Sequence, residues 1–364
     1  MTPADDYKHM ARALRLAERG LYSTHPNPRV GCVIVKDGQV VGEGWHEYAG
    51  GPHAEIHALQ QAAAQAAGAT LYVTLEPCCH HGRTPPCTDA VRAAGVKQVV
   101  VAMEDPNPQV AANGLRILQE GGIKVSSGVL AAEAEALNCG FVMRMRRGRP
   151  WVRAKLAMSL DGRTALASGV SQWITGAEAR RDVHRLRARS AAIMTGVDTV
   201  LTDDPSLTVR LDDVEVHHQP LRVILDSRLR TPPQARLLGL PGNTLILTGE
   251  QPAAGAAVFG ARVEVTGLPQ VAGHMDLAAV LQHLGSREIN EVHLEAGATL
   301  CGALLAAGLV DELVIYLAPH LMGDAARGLF ALPGLERMQD RIDLDIRDIR
   351  AVGKDWRITA KVST

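Results

Sequence analysis

Three short segments carry residue types that can do chemistry together: His53-Ala54-Glu55, Glu76-Pro77-Cys78 and Pro86-Cys87. One imidazole and two thiolates offer Zn²⁺ three ligands and leave a fourth tetrahedral position for water, the arrangement of a catalytic site rather than a closed structural one. Zinc lowers the pKa of that water toward neutrality, so hydroxide becomes available at physiological pH. Glu55 lies two residues beyond His53 at the start of a helical pattern, where it can face the open position and carry protons. Both cysteines follow a proline at an expected loop-to-helix junction, and a helix N-terminus favours the thiolate. His53, Cys78 and Cys87 are therefore the candidate metal ligands, and Glu55 the candidate catalytic acid and base.

A His-x-Glu followed by Pro-Cys-x-x-Cys is the signature of zinc nucleobase deaminases, in which the Glu is not a ligand. This chain departs from it in spacing, with Cys79 to Pro86 inserted between the two cysteines. A closed structural site using Cys79, His80 or His81 as fourth ligand is one competing reading. Two buried thiols beside a chance His-Ala-Glu is another. Adjacent side chains rarely point at one ion, so Cys79 is read as a packing residue.

The run Glu76-Pro77-Cys78-Cys79-His80-His81-Gly82-Arg83-Thr84-Pro85-Pro86-Cys87 closely resembles the deaminase half of the bifunctional riboflavin-biosynthesis deaminase/reductases, as does His25-Pro26-Asn27-Pro28-Arg29-Val30-Gly31. The long cysteine spacing is what that family shows. The resemblance implies a substrate with a pyrimidine, an exocyclic amine and a ribosylamino 5′-phosphate, and it assigns Asn27, His46, His80 and Arg83 to substrate contacts. Their chemistry agrees, since amides and imidazoles read polar ring edges and a guanidinium pairs with phosphate. Taken alone, Asn27 between two prolines is a turn residue and Arg83 a solvated loop charge.

The second half lacks a G-x-G-x-x-G fingerprint. One joint does invite an anion: a strand over Glu291 to Leu294, then Glu295-Ala296-Gly297-Ala298, then an Ala/Leu helix. Small residues between a strand and a helix N-terminus expose backbone N–H groups to anions, although such joints also occur without a ligand. Lys155 to Ala165, Thr195 to Pro205, Asp226-Ser227 and Glu295-Ala296-Gly297 resemble the reductase half of the same family. That resemblance implies a dihydrofolate-reductase-like fold and NADPH. The cofactor contacts it implies are Ala157, Trp173, Thr199, Asp203, Ser227 and the run Gly297, Ala298, Thr299, Leu300, Cys301, Gly302, Ala303. It gives Ser171, Arg187, Leu207, Arg210 and Glu295 to the pyrimidine and sugar phosphate, and Arg187 and Arg210 have the chemistry of phosphate clamps. Without it, Trp173 is partial core and Arg187 part of a solvated helix face.

The elements that must position these groups alternate. Helical spacing covers Asp5 to Arg19, and strands are expected over Arg29 to Lys36 and Gln39 to Gly44 about an Asp37-Gly38 turn. A helix over His53 to Ala67 stops at Gly68, and strands over Thr70 to Leu75 and Lys97 to Ala102 flank a helix over Cys87 to Ala94. A helix over Val110 to Glu120 precedes a strand around Ile123 to Val125. The basic segment Arg144 to Pro150 shows no apolar periodicity and is taken as the boundary, giving domains 1–147 and 148–364. Further strands are expected at Ala191 to Thr195, Leu221 to Leu225, Thr244 to Leu247, Arg262 to Val265, Glu291 to Leu294 and Glu312 to Leu317, with two more between Asp343 and Val362. Alternating strands and helices imply α/β architecture, and the family resemblance implies a cytidine-deaminase-like α/β/α domain followed by a dihydrofolate-reductase-like α/β domain.

Composition narrows the partners. At 364 residues, 46% hydrophobic and 21% charged, the chain can bury a sizeable core in two or three domains. A net charge of -1 and 3% aromatics argue against nucleic acid, which calls for a basic excess and stacking platforms. No segment has the apolar length of a membrane span or the h-region of a signal peptide. Three cysteines within ten residues point to metal or redox chemistry in the cytoplasm rather than a disulfide scaffold. The expectation is a cytoplasmic homo-oligomer that uses Zn²⁺ and NADPH in two consecutive steps on a pyrimidine ribosyl phosphate. Three other readings are a deaminase with a decayed reductase, an RNA-editing deaminase, and a zinc-stapled scaffold without activity.

Overall fold

The computed structural model describes residues 2–79, 85–107, 111–213, 218–249 and 258–363, which fall into two units, Met1–Gly148 and Arg149–Thr364. The first begins with α1 (Pro3–Ala17), opened by a capping box in which the Thr2 hydroxyl accepts from the Asp5 N–H and the Asp5 carboxylate accepts from the Thr2 N–H. A hairpin follows, β1 (Gly31–Lys36) and β2 (Gln39–Trp45), turning through Asp37-Gly38 with both φ positive. Next come α2 (Ala54–Ala62), β3 (Thr70–Leu75), α3 (Cys87–Ala93), β4 (Gln98–Met103), α4 (Asn113–Glu120), β5 (Lys124–Ser127), α5 (Ala131–Leu137) and α6 (Cys139–Arg147). The sheet order is β2-β1-β3-β4-β5, antiparallel at β2/β1/β3 and parallel from β3 onward.

Alternation along the strands builds a layer on each face. Cys32, Ile34, Leu71, Val73, Val99 and Val101 pack against α2, α3 and α4, while Val33, Val35, Tyr72, Val100 and Ala102 pack against α1, α5 and α6. Two glycines bring α2 unusually close to its strand. A Cβ on Gly42 would lie 2.2 Å from the Ala58 carbonyl, and one on Gly44 would lie 2.4 Å from the Ala54 carbonyl.

Two expectations change here. The helix over His53 to Ala67 is α-helical only to Ala62 and ends in a 3-10 turn, Ala63–Ala66, because Ala63 adopts φ 46°. The basic segment from Arg144 is not irregular: its first part is the last turn of α6, ended by Gly148 at φ 67°. The apolar face of that helix is supplied by Phe141 and Val142, which precede the basic run and are buried, while the arginines occupy the turn where cations complement the helix dipole.

The second unit starts with β6 (Trp151–Ser159), β7 (Arg163–Ala165), α7 (Ala177–Arg189), β8 (Ala192–Gly196), α8 (Val197–Asp203), β9 (Leu221–Leu225), α9 (Arg236–Gly239), β10 (Thr244–Thr248) and β11 (Val263–Gly267). It continues with β12 (Gln270–Val271), β13 (His274–Met275), α10 (Leu277–Ser286), β14 (Glu291–Leu294), α11 (Ala298–Ala306), β15 (Glu312–Ala318), β16 (Arg327–Gly328), β17 (Leu344–Val352) and β18 (Asp355–Val362). Its main sheet runs β11-β10-β9-β8-β14-β6-β15-β18-β17. Strands from β11 to β15 are parallel, the inner ones largely buried and the edge strand β11 half-exposed, and the β17–β18 hairpin extends the sheet antiparallel. Helices α10 and α11 cover one face, with Val152, Met194, Val223, Leu245 and Leu294 beneath them. Residues of α7 and α8 pack on the other face, against Tyr316 and Ile193 respectively. This doubly wound pattern places ligands at the C-terminal ends of the parallel strands.

Gly42→Ala should force α2 off β2 and destabilise the first unit by about 1–3 kcal/mol, the usual cost of overpacking. Urea unfolding measures it, and Gly239→Ala, where an added Cβ meets nothing within 4 Å, should leave the midpoint nearly unchanged.

Candidate active sites of the two units

His53 is the N-cap of α2 but makes no capping bond, so its ring is free to turn toward the cysteines. Its Nδ1 lies 3.2 Å from Cys87 Sγ and 3.5 Å from Cys78 Sγ, and the three ligand atoms fall within 4.8 Å of one another. Zinc bonds of about 2.0–2.3 Å in a tetrahedron need ligand atoms roughly 3.5 Å apart, so this donor set fits the ion. Cys79 does not join the group. Only Cys87 begins a helix: Cys78 sits in the loop after β3, and the helix reaches it through space, the Cys87 N–H donating to Cys78 Sγ at 3.3 Å. The Thr88 N–H binds the Cys78 carbonyl at 3.2 Å. Hydrogen bonds from the Cys87 thiol and from His53 pull Cys78 down to about 4, and Cys87 is pushed up because it donates to that thiolate. His53 is raised in turn by the same thiolate.

Glu55, in the first turn of α2, is buried beside these groups and within hydrogen-bonding reach of Cys87. Burial raises its carboxyl above the ordinary range, and the neighbouring His53 opposes that shift. His46 is 2% exposed and stacks edge-on against His53 with ring centroids 5.5 Å apart. Both its nitrogens are occupied, Nδ1 by the Pro52 carbonyl at 3.0 Å and Nε2 by Asn27 Nδ2 at 3.0 Å. Burial lowers its pKa. His80 and Arg83 lie outside the described residues.

Glu76 is the functional residue that motif reading passes over. Its buried carboxylate accepts four backbone N–H groups, from Asp105 (3.0 Å), Ala112 (3.1 Å), Gly114 (2.8 Å) and Leu115 (3.3 Å). These include the open N-terminus of α4, whose own N-cap, Ala112, has no side chain to offer. Gly114 is required there, since a Cβ would lie 2.3 Å from the Pro77 carbonyl. The Pro77-Cys78 loop is thereby tied to α4. An acidic residue next to Pro-Cys was the only signal in the sequence, and its partners lie 29 or more positions away.

In the second unit the cofactor candidates gather along the C-terminal ends of adjacent strands β9, β8, β14 and β6. Ala157 is near the end of β6, Thr199 and Asp203 are on α8 after β8, Ser227 follows β9, and Gly297 N-caps α11 after β14. A Cβ on Gly297 would meet only open space, α11 has no side-chain cap, and the buried Thr195 hydroxyl at the end of β8 has no partner among the described residues. Free N–H groups and an orphan hydroxyl fit the phosphates and polar edges of a nicotinamide nucleotide. Trp173 is 71% exposed, with the Arg180 guanidinium over its ring at 4.8 Å. Within the run Gly297 to Ala303, Cys301 and Gly302 turn to the core instead: Cys301 donates to the Ala296 carbonyl, and a Cβ on Gly302 would lie 2.1 Å from the Ala331 carbonyl.

Arg187 is not a solvated helix charge. Its Nε and Nη2 grip the Glu295 carboxylate while Nη1 donates to the Thr208 carbonyl at 2.9 Å. Burial alone would raise Glu295, but the Arg187 guanidinium outweighs it and holds the carboxyl well below its usual range. His293, fully buried, places Nε2 3.3 Å from the same carboxylate. Arg210 is exposed and its backbone N–H donates to His184 Nδ1 at 3.2 Å, whereas Leu207 is core and Ser171 half-buried. Lys155, whose role is not legible from its neighbours in the chain, is close enough to feel Glu295 and Arg187, and burial lowers its pKa.

The comparisons define the class first. Residues 3–103 match the family model described as the cytidine and deoxycytidylate deaminase zinc-binding region, and residues 150–358 match the RibD C-terminal domain. The first unit is therefore of the zinc deaminase class and the second is a RibD-type reductase. The chain is similar to the riboflavin biosynthesis protein RibD of Escherichia coli, 53% identical with 96% of this chain and 97% of the relative covered. It is likewise similar to two solved structures. One is RibD from Acinetobacter baumannii (46% identity, TM-score 0.92, all of both chains). The other is a diaminohydroxyphosphoribosylaminopyrimidine deaminase/5-amino-6-(5-phosphoribosylamino)uracil reductase from Thermotoga maritima (33%, 0.88, 99% of each chain). The chain belongs to the RibD family, the bifunctional deaminase/reductases of riboflavin biosynthesis. No helix among the described residues is long and apolar enough to cross a membrane.

Glu76→Gln keeps the shape but puts an NH₂ against backbone donors. It should cost about 1–3 kcal/mol of stability and speed zinc loss to a chelator, followed with a colorimetric zinc indicator.

Proposed function

We propose that this chain deaminates 2,5-diamino-6-ribosylamino-4(3H)-pyrimidinone 5′-phosphate in residues 1–147 and reduces the product's ribosyl chain with NADPH in residues 148–364, giving 5-amino-6-ribitylaminouracil 5′-phosphate. The observation that carries the reading is the convergence of His53, Cys78 and Cys87 with Glu55 buried beside them. Those three residues would hold Zn²⁺, which supplies a polarised water near neutral pH. Glu55 takes a proton from the attacking water and delivers protons to the ring nitrogen and to the departing ammonia, so that C–NH₂ plus water becomes C=O plus NH₃. A carboxyl already raised by burial is suited to both halves of that transfer. Asn27 reads a polar edge of the ring, and Arg83 is assigned to the phosphate by family resemblance.

In the second unit NADPH would supply hydride to C1′ of the opened sugar. Ala157, Trp173, Thr199, Asp203, Ser227 and the N-terminal end of the run Gly297 to Ala303 would bind it, the deeper part of that run serving to seat α11. Ser171, Arg187, Leu207, Arg210 and Glu295 would orient the pyrimidine and sugar phosphate. Arg187 is pre-organised by Glu295 and Thr208, so it can add a phosphate oxygen to its free N–H positions without reorienting. The preference for NADPH over NADH rests on family resemblance. Six free cysteines suit the reducing cytoplasm. Exposed Leu344, Ile346 and Ile349 on the edge strand β17 support a homo-oligomer of two or more copies.

Product masses test the reading. Without NADPH the substrate should undergo deamination alone, and with NADPH it should gain two further hydrogens. Deamination alone in both tubes, with no gain of hydrogen, would remove the reductase half of the proposal. Glu55→Gln should lower deamination turnover by at least about 10²-fold while zinc stoichiometry stays at the wild-type value.

A further inference from the structure

The stretch between β7 and α7, residues 166–176, holds Ser171 and Trp173 and forms neither helix nor strand. Its last residue, Gly176, is the N-cap of α7 and has no side chain with which to cap it. In a capping box the N-cap N–H is taken by an acid at the third helical position, where this helix has Ala179. The acceptor comes instead from the β17–β18 hairpin: Asp355, fully buried, accepts the Gly176 N–H on Oδ2 at 2.7 Å. Its charge also complements the positive end of the helix. The hairpin turn comes this near because it carries Gly353, at φ 63°. A Cβ there would lie 2.8–3.0 Å from three atoms of the Glu178 side chain, in the first turn of α7. One turn further along, Asp182 Oδ2 accepts from Arg357 Nη1 on β18 at 2.8 Å and from the buried Tyr316 hydroxyl on β15 at 2.6 Å. The helix is thus held along two successive turns, and it orders the stretch before it. Arg180 Nη1 donates back to the Thr175 carbonyl at 2.6 Å, and its guanidinium lies over the exposed Trp173 ring at 4.8 Å.

We propose that Asp355 is a positioning residue for the reductase: by pinning Gly176 it sets the start of α7, and through Arg180 it sets Trp173 for the nicotinamide nucleotide. It acts through those residues rather than by contact. An exposed ring is not fixed by packing, so its place depends on the backbone beneath it and on the guanidinium above it. Both belong to the segment that Asp355 holds, and a ring ordered before binding lowers the cost of ordering it afterwards. The proposal rests on the reductase reading above for its ligand, while the clasp itself belongs to the ligand-free protein.

Two measurements on the full chain test it. In ligand-free protein, Asp355→Ala should speed amide hydrogen exchange over residues 171–180 by about 10-fold or more, with α11 unchanged. Unchanged exchange there would overturn the proposal whatever the cofactor proves to be. In kinetics, Asp355→Ala should raise the reductase KM for NADPH roughly 5- to 10-fold, the scale of a lost bond at a helix start, with kcat within about 2-fold. Deamination by the same preparation should be unchanged. Asp355→Asn keeps an acceptor oxygen of the same shape and should restore most of the KM. In a Trp173→Ala background the Asp355→Ala effect should largely vanish, because one residue acts through the other. A fall in kcat with KM unchanged, equal harm from Asn, or additive losses would overturn it. If Asp355→Ala does not fold, Gly353→Ala, which lifts the hairpin off Glu178, should raise the same KM, and an unchanged KM would refute the clasp. A wild type that uses no nicotinamide nucleotide would count against the functional reading, and the exchange rates would still decide what Asp355 holds.

Discussion

The candidate metal centre depends on how closely α2 lies on β2. Gly42 and Gly44 share one face of the strand, and without side chains there the helix backbone comes down onto the strand backbone at Ala58 and Ala54. His53 and Glu55 flank Ala54, so this approach sets the depth of both. Any Cβ at the two glycines would act as a wedge beneath the residues that must reach the cysteines. The cysteines have their own tether, the Glu76 carboxylate, which gathers four N–H groups and ties the Pro77-Cys78 loop to the start of α4. A ligand set of three needs both constraints, because His53 arrives on a helix and Cys78 on a loop.

A comparable logic runs through the second unit, in which a buried ion pair replaces backbone contact. Arg187 on α7 and Glu295 after β14 hold each other with two parallel bonds, and the Thr208 carbonyl accepts a third from the guanidinium. Breaking such a pair strands a buried charge, so each partner fixes the place of the other. The pair sits where the parallel strands end, next to the uncapped N-terminus of α11. Under the proposed function, the charged residues that would anchor a substrate are in position before it binds, which lowers the ordering cost of association.

Much of this was legible in the residues. The strands over Leu221 to Leu225 and Glu291 to Leu294 and the turn at Asp37-Gly38 are where periodicity and turn chemistry place them. Residue types in short local motifs singled out the three candidate ligands and Glu55. Reading was weaker where function depends on distant partners. Nothing near Arg187 in the sequence announces Glu295, 108 positions on, and nothing near His46 announces that both its nitrogens are taken. The glycine-rich run from Gly297 looked uniform, yet Gly302 exists for the Ala331 carbonyl and Gly297 for open space.

The sequence by itself determined the chemistry available: which side chains could hold zinc, which could move protons, and an α/β pattern of alternating periods. Those properties are local, set by residue type and by spacing within a dozen or so positions. Tertiary structure decided which groups are free to act. Whether an arginine is a clamp or half of an ion pair depends on partners that only folding brings within about 3 Å.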